Sequence, residues 1–286
     1  MGVGRHSSHG SPCRLVVLSL VTGLLAIGLS TVGAGPTAGQ ALALTSLQPH
    51  RAAYRLNLAG AHQMSGLSDV TGGLVIEWRL TCDGWLSHQR MGFIASTETG
   101  DFSHDVRFNS WESMDGSKMR YTVRSYDGDT VREEYQGEAR ITSPEEGGVA
   151  SFTLPEKRDV ILPPGTIFPT EHMKRLLLEA DGGQPLVSYD VFDGWGFDAL
   201  TQVTSAIGRQ RPVEPSDGNQ LAVTASKAWP ISMAYYNLAE EGDLPEFEVA
   251  FLMTEHGVLQ ELLLDYGDFS LKATLTRFDA LTRPAC

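Results

Sequence analysis

The sequence predicts an almost entirely antiparallel β protein of a dozen or more strands with a single α-helix. Three observations predict it. Apolar and polar residues alternate with period two in segment after segment, Asp-Gly pairs punctuate those segments, and one stretch alone repeats its apolar residues at helical spacing.

The alternation is clean from Leu74 to Thr81, where Leu74, Ile76, Trp78 and Leu80 share one face and Glu77, Arg79 and Thr81 the other. Asp83-Gly84 follows as a turn. Asp115-Gly116 separates Phe108–Glu112 from Lys118–Ser125, in which Met119, Tyr121 and Val123 alternate with Arg120, Thr122 and Arg124. Asp127-Gly128 then separates that strand from Val131–Ala139, which makes a meander. Asp193-Gly194 and Asp217-Gly218 supply further turns, because both residue types tolerate positive φ. Near the end, Phe247, Val249, Phe251 and Met253 face one way against Glu246, Glu248, Ala250 and Leu252. Phe269, Leu271, Ala273 and Leu275 do so against Ser270, Lys272, Thr274 and Thr276. A sheet with one buried and one wet face requires this pattern.

Phe168–Gly182 reads as the helix. Thr170 is placed to cap it, Glu171 suits the positive end of its dipole, and Gly182 suits the left-handed position after its last turn. Met173, Leu176, Leu177 and Ala180 form a stripe at i, i+3, i+4 and i+7, which packs as core or lines a cavity inside the sheet. Ile161–Thr166, with Pro163 and Pro164, is an extended connector into it. Arg209–Asp217 reads as an exposed loop between strands, and Glu240-Glu241-Gly242-Asp243 as a hairpin tip.

The first residues read as an export signal. Arg5 and Arg14 precede an apolar run of about 15 residues, Leu15–Leu29, short for a membrane span. Ala41-Leu42-Ala43 fits the small-x-small rule for cleavage after Ala43, and Val32-Gly33-Ala34 is the alternative. The expected organisation is therefore a cleaved signal over 1–43 and a single domain over 44–286, without a membrane span, in the periplasm. Cleavage removes Arg5 and Arg14 and no acid, so 22 basic residues become 20 against 35 acidic, a formal charge of −15. That balance argues against nucleic acid and anionic membranes as partners. Cys13 leaves with the signal. Cys82 and Cys286 remain, and an even count in an oxidising compartment is most simply one disulfide, with unpaired thiols or intermolecular bridging as the alternatives.

No catalytic signature is found. The chain has no Gly-x-Ser-x-Gly elbow, no His-Glu-x-x-His helix and no Walker-type loop. His50, His62, His88, His104, His172 and His256 lack zinc-site spacing, and His172 reads as packing near the helix N-terminus. Asp190, Asp193 and Asp198 flank Trp195 and Phe197 but lack the spacing and closing Glu of a calcium loop. No catalytic residue, metal or cofactor is expected.

Pro49-His50-Arg51-Ala52-Ala53-Tyr54, Cys82-Asp83-Gly84 and Leu162–His172, with its Pro-Pro-Gly and Phe-Pro-Thr-Glu-His steps, occur in one order with Val191-Phe192-Asp193-Gly194, Ser232-Met233-Ala234-Tyr235-Tyr236 and Cys286. Over about Pro49–Cys286 the ensemble resembles the EipB family of alphaproteobacterial cell-envelope integrity proteins. The resemblance implies a β-spiral, one long curved, open-barrel-like sheet wrapped around the helix, with a disulfide that maps onto Cys82 and Cys286. It also implies a non-catalytic periplasmic role in envelope integrity under stress, through a partner built of tetratricopeptide repeats. A lipid or lipoprotein carrier with an apolar cavity is the alternative function. A glycan hydrolase using Glu171 with Asp190 or Asp193 is a third. Exposed edge strands leave homo-oligomerisation by sheet extension open.

Overall fold

A computed structural model describes residues 47–213, 225–238 and 244–286. The export signal with its cleavage site, the Asp217-Gly218 turn, the Glu240–Asp243 tip and the second half of the Arg209–Asp217 loop lie outside the described residues.

The first half of the chain is the expected meander. It consists of β1 (His50–Ala61), β2 (Leu67–Leu80), β3 (Gly84–Thr97), β4 (Gly100–Ser113), β5 (Lys118–Asp127), β6 (Thr130–Ser143), β7 (Gly147–Leu154) and β8 (Arg158–Leu162). The helix α1 (Pro169–Asp181) follows, then β9 (Leu186–Phe192), β10 (Leu200–Ile207) and a two-residue β11 (Arg211–Pro212). Four more strands complete the sheet: β12 (Lys227–Asn237), β13 (Phe247–Thr254), β14 (Leu259–Asp265) and β15 (Phe269–Ala280).

All the strands form one sheet in the order β8-β7-β6-β5-β4-β3-β2-β1-β15-β14-β13-β12-β10-β9, with β11 beside β12. Each pairing between strands is antiparallel, and the seam between β1 and β15 joins the two halves of the chain. So wide and twisted a sheet must curl, since about ten strands is the usual limit for an open one. Here it rolls until its two ends nearly meet, giving a nearly closed, barrel-like sheet. Ile167, on the connection between β8 and α1, reaches Val191 of β9 in a parallel bridge, with hydrogen bonds Ile167 N to Asp190 O (2.9 Å) and Phe192 N to Ile167 O (3.0 Å). Beside that bridge, Phe168, Phe192 and Ala199 pack on Met119, Tyr121, Ala139, Ala150, Phe152 and Leu162.

The inward faces follow the alternation. Leu74, Ile76 and Trp78, Met119, Tyr121 and Val123, and Val249, Phe251 and Met253 are all buried. Leu252 departs from the pattern: it points outward but is buried, beside a register shift between β13 and β14. On β15, a register shift against β1 past Leu275 lets Phe278 take the buried place opposite Ala52.

The helix lies inside the roll, with Met173, Leu176, Leu177 and Ala180 in the main core beside Tyr54, Leu74, Ile76 and Trp78. Its ends differ from the expectation. Pro169 is its first residue and Thr170 is already helical and buried, so Thr170 does not cap it. At the far end Gly182 keeps a right-handed φ of −73°, and Gly183 takes the left-handed position at φ 76°. Gly183 N–H donates to Ala180 O and Gln184 N–H to Glu179 O, the paired bonds of a Schellman motif one residue later than the sequence suggested.

Among the Asp-Gly turns, Gly116, Gly128 and Gly194 adopt positive φ, whereas Gly84 does not. Gly84 is required for a different reason, because a Cβ there would lie 2.2 Å from the Glu112 carbonyl oxygen. At Gly194 both constraints coincide: φ is +82° and a Cβ would lie 2.4 Å from the Tyr121 ring. Gly194→Ala is therefore expected to lower the unfolding free energy by about 2 kcal/mol. Urea denaturation checks this, and an unchanged midpoint would contradict the turn geometry.

Candidate functional site

The two rims of the rolled sheet differ in chemistry, and the helix makes the difference. At its N-terminus, Thr170 donates from its backbone N–H to Glu112 Oε2 (2.9 Å) and from Oγ1 to Glu112 Oε1 (2.8 Å). At its C-terminal end, Asp181 pairs with Lys227 at the start of β12 (3.6 Å). The helix thus spans the rim where β4 ends and β12 begins, and it closes that rim.

Glu112 is the cap that sequence reasoning missed. It sits at the inward end of β4, 1 % exposed, opposite Trp85 and Met119. A carboxylate is the natural partner for the orphan N–H groups and positive dipole end of a helix. Burial nevertheless dominates and raises the Glu112 carboxyl to about 7, against the Thr170 hydrogen bonds and the Lys174 ammonium, which pull it down. The signal for it was present: Phe108, Ser110 and Glu112 alternate inward on one strand, and a carboxylate in that series demands a buried partner.

His172 packs edge-on against Tyr189 with ring centroids 5.8 Å apart. Burial, aided by Arg175, lowers it to about 4, so it is neutral at ordinary pH. Glu171 is held by Arg175 (3.0 Å) and Lys174 (3.9 Å) on its own helix.

The disulfide belongs to the closed rim as well. Cys82, in the turn between β2 and β3, is bonded to Cys286, with Cα atoms 5.7 Å apart. The segment before Cys286 lies along the residues that lead into β1, at the same rim: Leu281 N–H donates to Pro49 O (2.8 Å) and Arg283 to Leu47 O (2.9 Å).

Above the helix the inner face turns partly polar. Trp78 Nε1 and Gln89 Nε2 both donate to Ser87 Oγ, and Ser87 pairs with Ser110, which in turn pairs with Tyr121. Among the described residues, Ser110 Oγ, Tyr121 Oη, His172 Nε2 and Ser205 Oγ are buried without a hydrogen-bond partner. Asp193, on the connection between β9 and β10, accepts from Trp195 N–H (2.9 Å). Burial raises its carboxyl to about 6, and burial in the first place, with the Asp193 charge adding to it, raises the phenols of Tyr121 and Tyr235.

The opposite rim is aromatic. Tyr235 near the end of β12, Phe247 at the start of β13, Tyr266 after β14 and Phe269 at the start of β15 form a ladder with successive centroids 5.4, 4.9 and 5.0 Å apart. These four residues continue the inward series of their strands, yet they are half-buried. Tyr266 Oη reaches Met91 Sδ of β3 at 3.7 Å. Two outer clefts complete the surface. One of about 460 Å³ runs over β10, β12 and β13 at Ala206, Pro230, Ser232 and Leu252, and one of about 410 Å³ lies at Phe102, His104 and Arg132. Neither is lined by the helix.

Asp190, Asp193 and Asp198 do not assemble into a cation site, and no group of three or more metal-ligating side chains occurs among the described residues. No helix among those residues is long and apolar enough to cross a membrane.

Comparison with known proteins agrees with this architecture. A family model described as EipB-like matches residues 41–282. The chain is 29% identical over 250 residues to the cell envelope integrity protein EipB of Brucella abortus (strain 2308), covering 85% of this chain and 87% of that one. It also superposes with a TM-score of 0.75 on the crystal structure of a beta-barrel-like protein of a domain of unknown function from Brucella abortus. That match is 27% identical and covers 82% of this chain and 99% of the other.

Proposed function

From the premise that the chain belongs to the EipB-like family, we propose that it is a non-catalytic periplasmic factor that maintains cell-envelope integrity by binding a protein built of tetratricopeptide repeats. The observation that carries this reading is the likeness to the Brucella cell envelope integrity protein along most of both chains. A leader of signal type over 1–43 and the Cys82–Cys286 bond both suit an oxidising compartment outside the inner membrane.

A strain lacking the gene is expected to become sensitive to detergent and to β-lactams, with resistance restored by the full-length chain. Crosslinking in the wild-type envelope, followed by affinity capture, is expected to recover a tetratricopeptide-repeat protein. Unaltered resistance in the deletion strain would sink the envelope role, and recovery of no such protein would sink the partner.

A second reading, carriage of a lipid or lipoprotein chain, is favoured by one specific feature: the half-buried inward ladder of Tyr235, Phe247, Tyr266 and Phe269. Side chains of this kind normally complete a core or contact an apolar ligand.

A further inference from the structure

The outer face of the rolled sheet carries its charge unevenly. Arg90 on β3, Arg107 on β4 and Arg124 on β5 are direct neighbours in register, three guanidinium groups in one line across adjacent strands. Like charges set directly opposite one another destabilise a sheet. Further along β5, Arg120 and Lys118 point the same way, because all five positions alternate with the buried Phe93, Val106, Met119, Tyr121 and Val123 of the inner face. Asp105 is shared by Arg90 (2.6 Å) and Arg107 (2.9 Å), and Glu134 of β6 takes Arg124 (2.7 Å). On β6 Arg140 stands opposite Lys118 and pairs with Glu138 (3.2 Å). Arg120 instead lies over the Trp111 ring, 4.4 Å from its centroid, and Arg107 lies over Tyr126 at the same distance. Arg90, Arg107 and Arg124 stay 61%, 42% and 46% exposed, so all three are open to a partner. These six cations against three carboxylates make a basic patch in a chain of 35 acidic and 22 basic residues.

We propose that this outer face of β3 to β6, from Arg90 to Lys118 and Arg140, docks a carboxylate-rich segment of a protein partner. The inference rests on the protein-binding reading above and adds the surface used and the charge of the partner. Arginine beside tryptophan and tyrosine is the composition that carries binding energy at protein interfaces. Each guanidinium presents a planar fork of donors that a carboxylate accepts in two bonds. Arg90 and Arg107 share one carboxylate, and Arg120 and Lys118 have none within ion-pair distance among the described residues, so donors are left for an incoming acid. Charge also favours a segment over an anionic bilayer. At physiological salt exposed charges act over about 8 Å. A narrow segment therefore meets the patch alone, whereas a broad membrane plane also faces the acidic remainder of the surface.

The test titrates a labelled deca-glutamate peptide against full-length chain secreted to the periplasm and purified, with binding read by fluorescence anisotropy at low ionic strength. Arg107→Ser combined with Arg120→Ser removes two cations and strands no carboxylate, since Asp105 keeps Arg90. This variant is expected to bind the peptide at least about tenfold more weakly, the worth of two exposed ion pairs, with an unchanged urea midpoint. Arg209→Ser combined with Arg211→Ser removes the same charge beside β12 and is expected to change binding less than about twofold. Equal weakening by the two double variants, or no binding of the peptide to the unaltered chain, overturns the patch. Phosphatidylglycerol vesicles that bind as tightly as the peptide, and lose binding in the first double variant, overturn the choice of a protein segment. Each of these failures leaves the protein-binding reading to the envelope crosslinking, which does not depend on the patch.

Discussion

Glu112→Ala is expected to destabilise the protein by about 3 kcal/mol, because it strips the helix of its cap and leaves the Thr170 N–H and Oγ1 buried without an acceptor. Glu112→Gln separates geometry from charge: the amide oxygen still accepts, but the group no longer ionises. The carboxyl moves from an ordinary 4.5 to about 7 on folding, so between those values the folded chain holds the proton that the unfolded chain has released. Stability therefore falls as pH rises through that window, by about 3 kcal/mol in all for a shift of this size. Asp193, raised to about 6, contributes with the same sign. Urea midpoints measured from pH 4.5 to 8 should decline in the wild type and decline less in Glu112→Gln, which ends as the more stable protein at pH 8. Parallel pH profiles for the two would show that Glu112 does not carry the effect.

Loss of the Cys82–Cys286 bond is the other large expected change. The two residues are 204 apart in sequence. Constraining so long a loop in the unfolded chain is worth up to about 5 kcal/mol, and removal of native bonds typically costs about 2–5 kcal/mol. Cys82→Ser and Cys286→Ser are each expected to lower stability by about 3 kcal/mol, and reductant should do the same to the wild type and nothing to the variants. The native tail has other holds, Leu281 on Pro49 and Arg283 on Leu47, so the variants should keep the fold and lose it at lower denaturant. Equal midpoints with and without reductant would show that the bond contributes nothing.

The strands and the helix were legible because each depends on a periodic pattern that burial imposes locally. Leu74, Ile76 and Trp78 face the core for the same reason that Glu77 and Arg79 do not. The helix stripe was legible for the same reason, but its caps were not. Thr170 is the residue type that caps helices, yet the acceptor role fell to Glu112, 58 residues earlier and brought there only by the roll of the sheet. Gly84 was legible as a glycine with a purpose, while the purpose, clearance from the Glu112 carbonyl, depends on how β3 and β4 meet. Leu252 kept the outward side that alternation gives it, but its burial, beside a register shift between β13 and β14, is not encoded in that pattern. The aromatic ladder was visible only as four unrelated rings. Cross-strand pairing at successive turns is what brings them together.

The pairing of β1 with β15 has a kinetic consequence. Within each arm of the meander a strand finds its neighbour a few residues away, a search that takes microseconds. The seam instead unites residues about 220 positions apart, and it carries the steepest loop-closure penalty in the molecule. A chain made from its N-terminus therefore presents β1 with one bare edge throughout synthesis, and zips shut only when the final strand has been delivered.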